Sequence, residues 1–230
     1  MRKFFIVFVL IICEAIPSFS QQKDVQQEYP DSIVPARLRK VIITESAIYL
    51  AGTYFLNNIW YKDHERVPFH FYDDNKGWMQ LDKAGHMYVS YHESYSGMRA
   101  LRWAGVSKKK ALWLGGTLGI ILQTPIEVFD GIYEGYGFSA GDMVANAGGS
   151  ALLISQELLW SEQRLILKFS YSSTPYPKYR PAYFGTSAVE RFVSDYNGHT
   201  YWLSGNLSDF LPNSGIPKWL NLALGIGADG

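Results

Sequence analysis

The chain has 230 residues, which is enough for one sizeable domain with an appendage. Its 21 basic and 21 acidic side chains balance, so no net charge favours a nucleic-acid partner. The single cysteine, Cys13, excludes a disulfide framework. Aromatic residues make up 16% of the chain, which is typical of a protein at a boundary between lipid and water or of an aromatic-rich core.

Residues 1–20 have the three parts of a secretory signal peptide: a basic start, an apolar run over residues 4–12, and a small-x-small end at Ser20. The apolar run is shorter than the roughly 20 residues of a membrane-spanning helix. We therefore expect cleavage after Ser20 rather than a retained anchor. Cys13 follows the large, branched Ile12, whereas a lipoprotein signal has a small residue there, so we expect no lipid on this cysteine.

The rest of the chain divides into three predicted parts. Residues 21–36 are polar and predict a flexible lead-in. Residues 37–160 have helical apolar spacing and predict a bundle of about four helices, so the expected fold class is mainly α. Residues 161–230 alternate apolar runs with Pro- and Asn-Gly-rich turns, which predicts a β or irregular extension. Because this extension stops without a terminal element, we expect it to be truncated.

Apolar spacing and capping residues define the individual elements. The predicted helices cover residues 37–61, 82–103, 107–122 and 139–160. The predicted strands cover residues 165–171, 200–203 and 220–224. Ser107 and Ser139 are placed as N-caps, and Asp82 suits the first turn of its helix. Pro125 is expected to interrupt or kink the chain after the third helix.

The helical part raises the question of a membrane. Three apolar segments approach the length of a membrane-spanning helix: residues 41–60, 111–130 and 140–160. Each contains polar groups, and helix 82–103 carries many charges, so we expect a bundle that lies in or against one leaflet. Lys108, Lys109 and Lys110 occupy a helix start, where the dipole disfavours cations. They either meet anionic head groups or form a solvated helix start.

Polar side chains recur at helical spacing on three of these elements. The cluster that they predict comprises Asp82, Lys83, His86, Glu127, Asp130, Ser139, Asp142 and Asn146. Residues three or four apart share a helix face, and a bundle would bring such faces together.

Two interpretations of this cluster stay open. A buried hydrogen-bond network would fix the helix register, and we favour it because no HExxH-type spacing is present. A set of imidazole and carboxylate groups also suits a metal site or acid–base chemistry. The candidate metal ligands are Asp82, His86, Glu127, Asp130 and Asp142. The absence of a cofactor is favoured over a divalent metal.

The motifs DKxxH from Asp82, ExxD from Glu127 and GFSxxDxxxNxxG from Gly137 resemble the YfiM-like family of bacterial envelope proteins, also called domain of unknown function 2279. The resemblance covers residues 40–160 and implies an envelope location and a helical core, but no reaction. DKxxH and DxxxN are also distantly similar to VanZ-like membrane proteins. In those proteins the middle motif pairs Glu with Gln, where this chain has Asp130. Members of the YfiM-like family are often lipoproteins.

Other motifs are weak. P-loop and CxxC patterns are absent from the sequence, and the glycines at 115, 116 and 119 lack the preceding strand of a nucleotide-binding turn. His64, His70 and His199 lie in loop-like sequence and are expected at the surface.

We therefore expect an exported protein in the periplasm or at the periplasmic face of the outer membrane of a Gram-negative-type envelope. The leading hypothesis is a membrane-associated, non-enzymatic structural or accessory (assembly) protein. Its partner would be membrane lipid or an outer-membrane protein assembly. The alternative is a metal-dependent hydrolase or transferase acting on lipid-linked or phosphorylated envelope material, with His86 as acid or base. Oligomeric state stays open.

Overall fold

The computed structural model describes residues 29–30, 32–75 and 77–228. The predicted signal peptide and residues 21–28 of the predicted lead-in lie outside the described residues. The chain divides into two compact units. Among described residues, the smaller unit is 206–221, and the larger one comprises the rest.

The described part of the chain is mainly helical, with a small sheet near its end, as predicted. The α-helices are α1 (Pro35–Leu56), α2 (Leu81–Trp103), α3 (Lys108–Gly116), α4 (Leu118–Asp130), α5 (Ala140–Leu159), α6 (Pro181–Phe184), α7 (Ala188–Ser194) and α8 (Leu207–Phe210). The strands are β1 (Leu165–Tyr171), β2 (His199–Asn206) and β3 (Asn221–Gly227). Five helices of nine residues or more, rather than about four, lie within described residues 35–159.

Helix boundaries differ from the prediction at three places. α1 begins at Pro35, inside the predicted lead-in, because proline suits the first helical position. The predicted third helix ends early at Gly116, and α4 then runs to Asp130 with Pro125 inside it. The break falls at Thr117, whose φ of −96° and ψ of 1° are not helical. Ser107 precedes α3 but makes no side-chain capping hydrogen bond.

α2 is the central helix, and α3, α4 and α5 all pack against it. Glycines allow the closest approaches: a Cβ on Gly149 of α5 would lie 2.3 Å from the carbonyl oxygen of Met87 in α2. A Cβ on Gly115 would lie 2.3 Å from the backbone nitrogen of Met98. The apolar core beside these contacts comprises Tyr91, Met98, Val106, Ala111, Leu112, Leu153 and Leu167.

The sheet has the strand order β1-β2-β3. β1 and β2 pair antiparallel, with Leu165 opposite Gly205 and Tyr171 opposite His199. The three strands appear where the sequence predicts them, although β2 is longer than predicted. The expectation that His199 lies at the surface is wrong, because this side chain is buried and its Nε2 lies 2.7 Å from the carbonyl oxygen of Phe192.

The smaller unit, residues 206–221, contains α8 and a turn. The side chain of Asn206 caps α8 by accepting a hydrogen bond from the backbone nitrogen of Ser208 at 2.9 Å. It also donates to the carbonyl oxygen of Lys218, so one side chain holds both ends of this segment together.

Outside the apolar core, the helices have an inverted distribution of side chains: many buried groups are polar, and many exposed groups are large and apolar. Buried polar residues on α2, α4 and α5 are Ser90, Ser94, Gln123, Glu127, Asp142, Asn146, Ser150 and Gln156. Exposed large apolar residues on the five long helices are Ile42, Ile43, Ile48, Leu50, Tyr54, Val89, Trp113, Leu114, Ile121, Val128, Phe129, Val144, Leu158 and Leu159. Among the described helices, the segment Lys108–Asp130 is long and apolar enough to cross a membrane, judged by length and composition alone.

Candidate functional site: a polar cluster at one end of the helices

The eight residues predicted as a polar cluster come together where α2 begins, α4 ends and α5 begins. Asp82, Lys83 and His86 lie on the first two turns of α2. The last turn of α4 supplies Glu127 and Asp130. The start of α5 supplies Ser139, Asp142 and Asn146. Three helix ends thus converge on one small volume of mostly buried polar groups.

Ser139 links the start of α5 to the end of α4 and to Asp74, which precedes α2. As the N-cap of α5, its hydroxyl accepts a hydrogen bond from the backbone nitrogen of Asp142 at 3.1 Å. The same hydroxyl donates to Asp74 Oδ1 at 2.8 Å, and the backbone nitrogen of Ser139 donates to Glu127 Oε2 at 3.3 Å. The cap therefore orders carboxylates from two other segments as well as starting its own helix.

Lys83 is held between two carboxylates. Its Nζ lies 2.7 Å from Asp74 Oδ1 and 3.0 Å from Asp142 Oδ1. Burial acts to lower the pKa of Lys83, but these two partners raise it above its ordinary value, so the ammonium stays charged. Burial acts to raise the pKa of Asp74, yet its bonds to Lys83 and Ser139 hold that pKa below its ordinary value.

His86 presents its two ring nitrogens to different partners. Nδ1 lies 3.2 Å from Asn146 Oδ1, while Nε2 lies 3.5 Å from Glu127 Oε1 and 4.0 Å from Asp82 Oδ1. An amide oxygen only accepts hydrogen bonds, so a hydrogen bond to Asn146 Oδ1 requires a proton on Nδ1. Burial acts to lower the pKa of His86, but the charges of Asp82, Asp142 and Glu127 raise it.

The remaining carboxyls are strongly perturbed by burial. Glu127 is fully buried, its Oε1 has no hydrogen-bond partner, and burial raises its pKa to about 8. Burial likewise raises the pKa of Asp130 to about 6, although the hydroxyl of Tyr61 donates a hydrogen bond to it. The pKa of Asp142 is raised to about 6 by burial, with His86 opposing the shift. Perturbed groups of this kind are frequent at functional sites and in buried structural networks alike.

Sequence reasoning missed three contributors to this cluster. Asp74 lies between the predicted helices 37–61 and 82–103. Tyr61 follows α1, and Tyr196 lies 114 residues beyond Asp82, to whose Oδ1 its hydroxyl donates at 3.1 Å. None of the three shares a helical spacing with the predicted set. The run Asp73-Asp74-Asn75 has residues typical of a turn, which is a local signal that does not connect it with α2.

The structure brings three of the five candidate metal ligands together. Donor atoms of Asp82, His86 and Asp142 all lie within 4.8 Å of one another. Glu127 lies outside that trio and contacts one of its members, with its Oε1 3.5 Å from His86 Nε2. Asp130 lies outside that trio and accepts the hydrogen bond from Tyr61.

Helix α2 carries a second buried carboxyl pairing, separate from the cluster. Gln123 Nε2 donates to Glu93 Oε2 at 2.8 Å. Glu93 lies seven residues after His86 on α2 and thus has its own partner on α4.

The fold and this cluster define a helical protein with buried polar groups. Residues 70–156 match the model of the family described as predicted periplasmic lipoprotein (DUF2279). That match confirms the resemblance read from the motifs and supports an exported, periplasmic location. No curated protein and no solved structure matches the chain.

The family's description as a lipoprotein differs from the expectation drawn from Cys13. This cysteine lies outside the described residues. The distant similarity to VanZ-like proteins stays a resemblance in motifs.

Proposed function

We propose that this is a non-enzymatic envelope protein whose helices associate with one membrane leaflet, and that it serves there as a structural or accessory (assembly) component. The observation that carries the proposal is the inverted distribution of side chains on the helices. In a water-soluble bundle, large apolar patches on the outside are unusual and mark an interaction surface. Polar residues facing the interior and apolar residues facing outward are the arrangement that lipid favours.

Helix α1 supports the proposal most directly. None of its 22 residues is buried, and its outward face presents large apolar side chains such as Ile43 and Leu50, which are 60% and 66% exposed. Its inward face instead carries Glu45, whose pKa burial raises, and Tyr49, whose hydroxyl donates to the carbonyl oxygen of Leu122 at 3.1 Å. Burying one such outward apolar side chain in lipid contributes about 1.5–3 kcal/mol.

The difference in charge between the two ends of the helices supports one orientation of the protein relative to the membrane. Arg37 Nη1 donates to the carbonyl oxygen of Trp103, and Lys108 Nζ donates to Ser161 Oγ at 2.9 Å. These contacts place the basic start of α1 beside the end of α2, and the basic start of α3 beside the end of α5. The carboxylates gather at the opposite end of α2. We infer that the basic end faces anionic head groups, where each cation contributes roughly 1 kcal/mol.

Vesicle flotation of the full chain, purified in mild detergent, tests membrane association. We expect the wild-type protein to float with vesicles, and more strongly when they contain anionic lipid. The double variant Ile43→Asn, Leu50→Asn should float much less, because both changes lie on the outward face of α1. Leu224→Asn is the matched control, since Leu224 is 80% exposed on β3, away from the helices.

Three flotation results decide the proposal. Loss of flotation in the α1 double variant alone supports it. A wild-type chain that ignores every vesicle overturns membrane association. Equal flotation of the double variant and the control overturns the role of α1.

A second candidate is a metal-dependent hydrolase or transferase acting on lipid-linked or phosphorylated envelope material. The convergence of Asp82, His86 and Asp142 favours it, because imidazole and carboxylate groups suit both metal binding and proton transfer. Release of phosphate from a lipid phosphate substrate, abolished in His86→Ala with folding intact, would establish this activity. Absence of turnover with a metal-loaded wild-type protein would exclude it for that substrate.

A further inference from the structure

We propose that the polar cluster binds one first-row divalent metal ion, such as Zn²⁺ or Mn²⁺. Asp82, His86 and Asp142 would supply three ligands, and Glu127 would supply the fourth. This site depends on neither the membrane association nor the catalysis proposed above, and its test measures ion binding alone.

The distances between donor atoms fit a shared ion. Ligands of one such ion each lie about 2 Å from it, so two of them lie about 3 to 4 Å apart. His86 Nε2 is 3.5 Å from Glu127 Oε1 and 4.0 Å from Asp82 Oδ1. One donor from Asp142 completes a set within 4.8 Å, so the donors would have to move together by up to about an ångström to share an ion. One imidazole with three carboxylates suits zinc or manganese better than calcium, which takes oxygen ligands only.

Glu127 gives an independent sign of a missing ligand. Its side chain is fully buried, and its Oε1 makes no hydrogen bond, although Oε2 accepts one from Ser139. A buried polar atom without a hydrogen bond costs free energy, and an ordered water or ion can supply the partner. The Oε1 of Glu127 lies 3.5 Å from His86 Nε2, so it points towards the imidazole of the donor trio.

Hydrogen bonds with neighbouring side chains orient His86 and Asp82, as such bonds orient the ligands in metal sites. With Asn146 Oδ1 accepting from His86 Nδ1, the other ring nitrogen, Nε2, turns towards the carboxylates with its lone pair available. Tyr196 donates a hydrogen bond to Asp82 in the same manner. A proton on His86 Nε2 would reduce the electrostatic repulsion among the surrounding carboxylates. Glu127 Oε1 would nevertheless remain without a hydrogen bond.

The cationic side chains of the cluster balance only part of its negative charge, so a divalent ion could balance the rest. Lys83 contacts two carboxylates, Asp74 and Asp142, and balances part of their charge. Asp82 and Glu127 have only His86 as a nearby cationic group among the described ion pairs. A divalent ion would balance these two carboxylates and leave the Lys83 contacts in place.

Metal titration of the full chain in mild detergent, after treatment with chelator, tests the site. The probes are Zn²⁺ and Mn²⁺, with Mg²⁺ for comparison, and binding is followed by calorimetry and by the melting temperature. Co²⁺ supplies a separate readout, because its visible absorption reports the number and type of ligands. We expect one ion per chain and a higher melting temperature with zinc or manganese.

Variants separate the site from adventitious binding. Glu127→Gln keeps the shape of the side chain but removes its charge, and we expect it to weaken affinity by about tenfold or more. His86→Ala should abolish binding. Glu93→Gln is the matched control for Glu127→Gln, because Glu93 is a carboxyl on α2, the helix of His86, and has its own partner, Gln123.

The outcomes are decisive in each direction. Wild-type affinity in Glu93→Gln with loss in Glu127→Gln supports the site. A wild-type chain that binds no probe ion at millimolar concentration overturns it. Equal affinity in wild type and Glu127→Gln also overturns it, and this comparison holds even if His86→Ala fails to fold.

Discussion

At the scale of the residue, Ser139 and Ser107 occupy the same position before two helices but have different surroundings. Ser139 is buried, caps α5 and bonds Asp74, whereas Ser107 is exposed and makes no capping bond. We expect Ser139→Ala to lower the free energy of unfolding by about 1–2 kcal/mol, since it removes a cap and leaves buried acceptors short of donors. Ser107→Ala should change it by less than about 0.5 kcal/mol. Denaturant titration of both variants measures the difference, and equal losses would contradict the role of the cap.

The pKa of Glu93 predicts how the stability of the protein depends on pH. Burial raises its pKa from the ordinary 4.5 to about 7, with Glu45 adding to the shift and Gln123 and His86 opposing it. Between pH 4.5 and 7 the unfolded chain ionises this group while the folded chain keeps it protonated. The group therefore lowers stability as pH rises through this window, and its effect is constant above it.

The variant Glu93→Gln removes this titration. Its stability relative to wild type should rise with pH from 4.5 to 7 and then level off, at up to about 1.4 kcal/mol per unit of pKa shift. Unfolding by denaturant at pH 4.5, 6 and 8 measures the trend. A difference that does not vary with pH would show that Glu93 ionises in the folded protein as it does in the unfolded chain.

The residues of the cluster were predictable where helical spacing revealed them, and not elsewhere. Asp82 with His86, and Asp142 with Asn146, are four apart, which is a local signal. Asp74 and Tyr196 reach the same place through turns and a long connection, for which a single sequence has no periodic signal. Which polar groups meet depends on tertiary packing.

At the scale of the element, glycines on α5 set its approach to α2. A Cβ at Gly149 would lie 2.3 Å from the carbonyl oxygen of Met87, whereas the nearest atom to a Cβ at Gly148 is the Met87 Cε at 3.9 Å. We expect Gly149→Ala to cost about 1–3 kcal/mol through overpacking. Gly148→Ala should be neutral or stabilising by up to about 1 kcal/mol, since alanine favours helix. Melting temperatures of the two variants check this, and a harmless Gly149→Ala would contradict the packing of α2 on α5.

The boundaries of elements were less predictable than their existence. Pro125 predicts an interruption, yet α4 passes through it, because a proline removes only one backbone donor and packing against α2 and α5 retains the helix. The actual break at Thr117 directly follows Gly115 and Gly116, a local signal that the predicted helix 107–122 did not use. Ser139 and the dense small residues after it did indicate α5, because capping and close packing are local properties.

At the scale of the whole molecule, the sequence showed apolar segments with polar interruptions. It did not show the direction of these groups, that is, which side chains face inward and which face outward. The structure gives that direction: Gln123 and Glu127 face inward on α4, while Ile121 and Val128 face outward. Hydrophobicity alone cannot make this distinction, because a soluble bundle built from the same composition would reverse the two faces. The inverted faces, together with the basic end, are what favour a leaflet over bulk water.

Spin-label accessibility in vesicles tests the orientation of α1 most directly. With Cys13 replaced by serine, a single cysteine can be placed at Ile43 or Leu50 on its outward face. Asp63, whose side chain is 82% exposed beyond the end of α1, serves as the aqueous reference. We predict that labels at 43 and 50 collide more with oxygen than with a water-soluble nickel complex, and that the label at 63 shows the reverse. Equal nickel accessibility at all three positions would contradict a membrane-facing α1.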